Sequence, residues 1–155
     1  MPSLTPEMFA AVLPLAVKWV EDGQRFIFEH GRSLSAAEKN DARLAGVRYP
    51  EQIRLLYVPH IPLPDDRVLK NTNDIVQLVT PQTAGLTLRY GIFVRRDCQG
   101  DRRLLVHEFV HASQYERLGS AECFLRQYLD ECIRFGYLAA PMEQEAVLTA
   151  QRICC

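Results

Sequence analysis

The stretch from Asp101 to Gly119, "DRRLLVHEFVHASQYERLG", constrains this chain more than any other. Asp101 is a helix-capping residue and Gly119 is suited to the C-terminal stop, so the helix runs to Leu118. Leu105, Phe109 and Val110 can face the core on either side of two histidines, His107 and His111. Just upstream, "LTLRYGIFV" at 86–94 is β-branched and aromatic and reads as one strand. Gly91 within it marks a bulge or a close backbone approach.

The rest of the chain is punctuated in the same way. Thr5 and Pro6 start a first helix that reaches about Phe28 and is stopped by Gly31. Ser35 and Glu38 have capping-box spacing for a short helix to about Ala45. "IRLLYV" at 53–58 is a strand candidate, and "DIVQLVT" at 74–80 a weaker one. Between them Pro59, Pro62 and Pro64 interrupt regular structure. Ser120 caps a helix over 121–135 that Gly136 stops, and Pro141 opens a last one over 141–153. The expected class is α+β in one domain, 1–155. Its parts are a helical N-terminal part (1–50), a small sheet (51–98) and the helices that carry the histidines (99–155).

Composition excludes several functions. The formal net charge is −1 over 155 residues, which gives no electrostatic footprint for nucleic acid or an anionic membrane. The apolar run at 8–20 carries Pro14 and Lys18 and is preceded by Glu7, so it reads as a buried helix and not a signal or a span. The five cysteines have neither paired nor CxxC spacing and read as free thiols in a reducing compartment. The expected location is the cytoplasm.

The chemistry lies in "HEFVH", His107 to His111. A four-residue helical step turns about 400°, so both imidazoles stand nearly in line and can meet one ion. Glu108 is rotated about 100° from His107, too far round to be a co-ligand. It can instead take a proton from a water that a metal has acidified.

HEFVH after an extended strand resembles the zincin superfamily of metallopeptidases, and the arrangement is similar to small bacterial zincin-like domains. The resemblance covers about Leu86 to Ile153. It implies a zincin-like fold, with a small sheet against the active-site helix, and a Zn2+ cofactor with three protein ligands.

No histidine follows His111, and positions 114 and 117 hold Gln and Arg, which excludes the H-E-x-x-H-x-x-G-x-x-H form. His30 and His60 lie upstream, on a helix end and in the proline segment. Glu116 points away around the helix, and Glu122, Asp130 and Glu131 are expected to face solvent. Glu143 and Glu145 remain, two apart on one helix. Glu143 falls inside the apolar stripe of Met142, Ala146, Val147 and Ala150, where a carboxylate is costly unless paired. Helical phase therefore favours Glu143, with Glu145 the runner-up and Cys132 a further alternative. Glutamate zincins often carry this ligand as E-x-x-A-D. Residues 143–146 match E-x-x-A, but Val147 stands where the Asp would be.

Gln114 shares the histidine face and is placed either to orient a ligand, to touch substrate or to pack on the next helix. Tyr137 is the candidate to steady an oxyanion, ahead of Tyr128 and Arg134. The 86–94 segment could bind peptide by strand addition. The expected function is a zinc-dependent hydrolase, a metallopeptidase acting on peptide or protein with Glu108 as general base. The alternative is a non-catalytic zincin-like domain with a structural metal or a protein-binding role.

Overall fold

Capping residues place most of the helices. A computed structural model describes residues 4–76 and 78–155, with residues 75 and 76 given by their backbone only. α1 (Pro6–His30) begins at Thr5, whose hydroxyl accepts from the Met8 N–H, and closes at Gly31. α2 (Ala36–Leu44) opens on the full Ser35–Glu38 capping box. α3 (Arg67–Val76) follows the proline segment. α4 (Arg102–Leu118) starts at Asp101, whose side chain accepts from the Leu104 N–H, and stops at Gly119 with φ +90°. α5 (Ala121–Phe135) is capped by Ser120 and stopped by Gly136, and α6 (Pro141–Ile153) starts on its proline.

The sheet has four strands in the order β1 (Arg32–Ser33), β2 (Arg54–Val58), β4 (Gly91–Arg95), β3 (Gly85–Leu88). β2 and β4 are parallel; β1–β2 and β3–β4 are antiparallel. The expected α+β class is what is observed. β4 is buried on both faces, as its unbroken apolar run requires. Phe93 joins a core cluster with α1 and α5. Ile92 and Val94 join a second cluster with α2, α4 and α6. β3 is an edge strand beside α4.

Two expectations are corrected. "LTLRYGIFV" is not one strand but a hairpin, with Leu88 paired to Gly91 across a two-residue turn. Arg89 takes φ +61°, a conformation that usually falls to glycine. The turn is held from outside, because the Tyr90 N–H donates to Gln24 Oε1, its carbonyl accepts from Arg54 N–H and its hydroxyl donates to Glu116. Gly91 does mark a close approach and no bulge: a Cβ there would lie 2.9 Å from Ile27 Cδ1 and 3.2 Å from the Gln24 Cα.

"DIVQLVT" is not a strand. Residues 74–76 end α3, Gln77 lies outside the described residues, and 78–80 bend. The Asn73 side chain explains this locally. It donates to the Val79 carbonyl and accepts from the Val79 N–H, and so replaces a strand partner. The Asp66 carboxylate accepts from the N–H groups of Val68 and Leu69 and caps α3, a start signal readable in the sequence.

All five cysteines are free thiols. Among the described residues no helix is long and apolar enough to cross a membrane.

Candidate metal centre

α4 presents His107 and His111 one turn apart, with ring centroids 5.0 Å from each other. α6 packs across them and delivers Glu143. Its first turn is fixed in an unusual way. Ala140 offers no side-chain cap, and the Met142 N–H donates instead to Glu131 Oε1 of α5, at 2.7 Å. Glu131 is therefore buried and satisfies an orphan helix donor, where a solvent-facing position was expected.

Glu143 is 4% exposed. Its Oε1 lies 3.1 Å from His107 Nε2, and its Oε2 lies 2.8 Å from His111 Nε2. The Tyr128 hydroxyl donates to the same Oε2 at 2.6 Å. Burial pushes the Glu143 carboxyl up, but the hydrogen bonds from His107 and His111 outweigh it and hold the group well below the usual carboxylate range. Burial and then the Glu143 charge push the Tyr128 phenol far up, so it stays a neutral donor.

The His111 ring is oriented by Gln114. The Gln114 amide nitrogen donates to the Met142 carbonyl at 3.0 Å and to Glu145 Oε1 at 2.7 Å, both pure acceptors. Its amide oxygen must then face His111 Nδ1, 2.8 Å away, which makes Nδ1 the donor. Nε2 is left pointing at Glu143. With an acceptor on each nitrogen the ring is an imidazolium. Burial pushes it down, but the Glu143 hydrogen bond and charge push it further up, to about 9. Among the described residues nothing holds His107 Nδ1.

Glu108 is buried, yet it stands apart from this cluster. Thr87 Oγ1 of β3 lies 2.9 Å from Glu108 Oε1 and 3.0 Å from its carbonyl oxygen. Among the described residues none donates to Oε2. Gly85 makes room there, since a Cβ on it would come within 3.3 Å of Oε2 and closer to Cγ and Cδ. Tyr137 lines the cavities on both sides of Glu108. Burial, then the charges of Glu143 and Glu108, raise its phenol well above its ordinary value.

The other candidates are elsewhere. Glu145 pairs with Gln114 and with Arg117 at 2.7 Å, and so supports the centre from outside it. His30 is exposed, with Nδ1 3.0 Å from the Phe26 carbonyl, and His60 is exposed in the proline segment. The Cys132 thiol is pushed up to about 12 by burial and then by the charges of Glu143 and Glu131, so it is a neutral thiol. Arg134 pairs with Asp130, and Glu122 with Arg126, on the surface of α5. Glu116 accepts from Arg48 N–H, Tyr49 N–H and the Tyr90 hydroxyl. Sequence reasoning missed Thr87, whose signal was its place one residue from each of two apolar neighbours on a strand. It also missed the role of Glu131, which had no signal.

His107, His111 and Glu143 are able to hold one metal ion: one ligand atom from each lies within 4.8 Å of the other two. The donors fit that role in kind. They are two imidazole nitrogens and one carboxylate oxygen on two different helices, and one imidazole is already fixed in tautomer by a partner at its far nitrogen. Compared with known protein families, curated proteins and solved structures, the chain matches none.

Proposed function

We propose that the protein is a zinc-dependent hydrolase of the zincin type, a metallopeptidase. The observation that carries this reading is the division of labour among four side chains. Three converge on one point, while Glu108, adjacent in sequence to one of them, is withheld from that point with one carboxylate oxygen unengaged. A purely structural metal site has no use for such a carboxylate. His107, His111 and Glu143 would hold the zinc. A bound zinc ion supplies Lewis acidity and brings the pKa of a water it holds toward about 7.

The remaining chemistry belongs to the chain. Glu108 Oε2 accepts the proton of the attacking water and returns it to the leaving amine. Thr87 engages Glu108 Oε1 and leaves Oε2 for this work. Tyr137 stays protonated at neutral pH and can donate to a developing oxyanion. A peptide can lie along β3, the edge strand that ends beside Glu108.

The test is elemental analysis and peptide-library cleavage by wild type and Glu108→Gln. Wild type should carry about one zinc per chain. Glu108→Gln should keep its zinc and lose about 10²–10⁴-fold in turnover. A wild type that carries zinc and cleaves nothing in the library ends the hydrolase reading.

A further inference from the structure

The dipeptide Arg-Tyr occurs twice in the chain, as Arg48-Tyr49 before Pro50 and as Arg89-Tyr90 in the turn between β3 and β4. Both copies line one cavity of about 170 Å³, closed by Ala112, Tyr115 and Glu116 of α4 and by Gly119 at its end. Ala112 and Glu116 are turned about 100° and 140° from His111 around the helix, so this cavity lies away from the metal centre. Glu116 fastens both dipeptides to α4. Its carboxylate accepts from the N–H groups of Arg48 and Tyr49 and from the Tyr90 hydroxyl.

That arrangement commits the carboxylate to three neutral donors and leaves the two arginines over. Arg32, Arg95, Arg102 and Arg117 each pair with a carboxylate. Among the described residues neither the Arg48 nor the Arg89 guanidinium has a hydrogen bond or an ion pair. Arg89 is half-buried and holds φ +61°, a conformation that glycine adopts far more readily. A glycine would close this turn at less cost, and what arginine adds there is a charge at the cavity wall. Tyr115 supplies a third polar group. It is 5% exposed, and among the described residues its hydroxyl has no hydrogen-bond partner. The hydroxyl is not sealed in, because no side-chain oxygen or nitrogen among the described residues is both buried and unpartnered. Burial pushes the Tyr115 phenol far up and the Arg89 charge pulls it partway back, so the hydroxyl stands as a neutral donor in the field of that guanidinium.

We propose that this cavity binds a small oxyanion, a phosphate or carboxylate group held by the Arg48 and Arg89 guanidiniums with the Tyr115 hydroxyl as a further donor. The planar fork of a guanidinium matches the oxygens of either group two at a time. Two cations against the one carboxylate of Glu116 leave the wall with positive charge in excess, and the lone pairs of that carboxylate are already taken up by its own donors. A cavity of about 150 Å³ takes a benzene ring, so there is room here for an anionic head with a small body attached. The site does not depend on the hydrolase reading. It shares α4 with the metal centre but none of the three ligands.

Inorganic phosphate titrated into the whole chain at low salt, followed by ¹H–¹⁵N NMR, tests this. Saturable shifts gathered at Arg48, Arg89, Tyr90 and Gly119 are expected. Arg48→Gln and Arg89→Gly should each weaken binding about 10–100-fold, and Tyr115→Phe about 2–10-fold. Arg89→Gly should leave the urea midpoint unchanged or higher, because glycine suits the left-handed turn position, so its loss of binding cannot come from misfolding. Arg96→Gln, at an exposed arginine outside the cavity, should bind phosphate as wild type does. Malonate, of similar charge, separates the two head groups: tighter phosphate binding assigns the site to a phosphorylated ligand, and tighter malonate binding to a carboxylate. Saturation by neither anion, shifts spread over the surface arginines, or phosphate binding kept in Arg48→Gln or Arg89→Gly overturns the site.

Discussion

His111 and His107 share a helix face, but their rings are held differently. The His111 side chain is 7% exposed, with an acceptor at each nitrogen. The His107 side chain is 19% exposed, and among the described residues only its Nε2 is engaged. His111 borders the smaller, mostly apolar cavity and His107 the broader groove. The difference teaches that one histidine of the centre is also part of the core's hydrogen-bonded network, while the other is held at one nitrogen.

The largest consequence is in the stability of the metal-free protein. The folded state holds the His111 ring up at about 9, against 6.5 for an unperturbed imidazole. Its protonated form therefore stabilises the fold fully below about pH 6.5, and this contribution is lost as pH rises through about 9. Its size is roughly 3 kcal/mol, counting the bond with Glu143 once. Urea denaturation of metal-stripped protein should show a fall of that order between pH 6 and 10. His111→Ala should abolish most of this pH dependence, and His107→Ala should leave most of it. Equal behaviour of the two variants would erase the asymmetry.

The sequence carried this comparison only in part. Caps and stops from Thr5 to Pro141 located five of the six helices seen among the described residues, because each signal is local. Helical phase selected Glu143 over Glu145, because burying an unpaired carboxylate is costly whatever surrounds it. What failed depended on distant partners. The turn at Arg89 has no glycine and is imposed by Gln24, Arg54 and Glu116. Glu131 serves a helix that begins ten residues later. Gln114 was legible as a face-sharing residue, but which way its amide points is decided by Met142 and Glu145.

The next effect is on zinc affinity. Gln114→Ala removes the acceptor at His111 Nδ1 and lets the ring change tautomer and orientation. Zinc affinity, read by competition with a chromophoric chelator, should fall about 10–100-fold. Glu145→Gln removes only a support for the Gln114 amide and should cost less, with zinc still bound. ¹⁵N NMR of His111 in the metal-free protein, at a pH above about 9 where the ring is neutral, should report a protonated Nδ1 in wild type and a mixture of tautomers in Gln114→Ala. If Glu145→Gln loses zinc while Gln114→Ala keeps it, the direction of support is reversed.

The smallest effect runs the other way and concerns His107. Val147 lies one helical turn beyond Glu143 on α6, at the position where the resembled motif carries an acid. The wild-type residue cannot accept from the unheld Nδ1 of His107. Val147 is half-buried, and Val147→Asp puts a carboxylate one turn from Glu143, where it is expected to anchor the His107 ring as Gln114 anchors the other. Zinc affinity should rise by up to about 10-fold, the lower end of what such outer partners contribute. The gain should survive in Gln114→Ala, because the two anchors act on different rings. An affinity that is unchanged or reduced, in protein shown by NMR to be folded, would mean that His107 is already held well enough by Glu143 alone. The looseness of the groove side would then be a matter of exposure and not of binding.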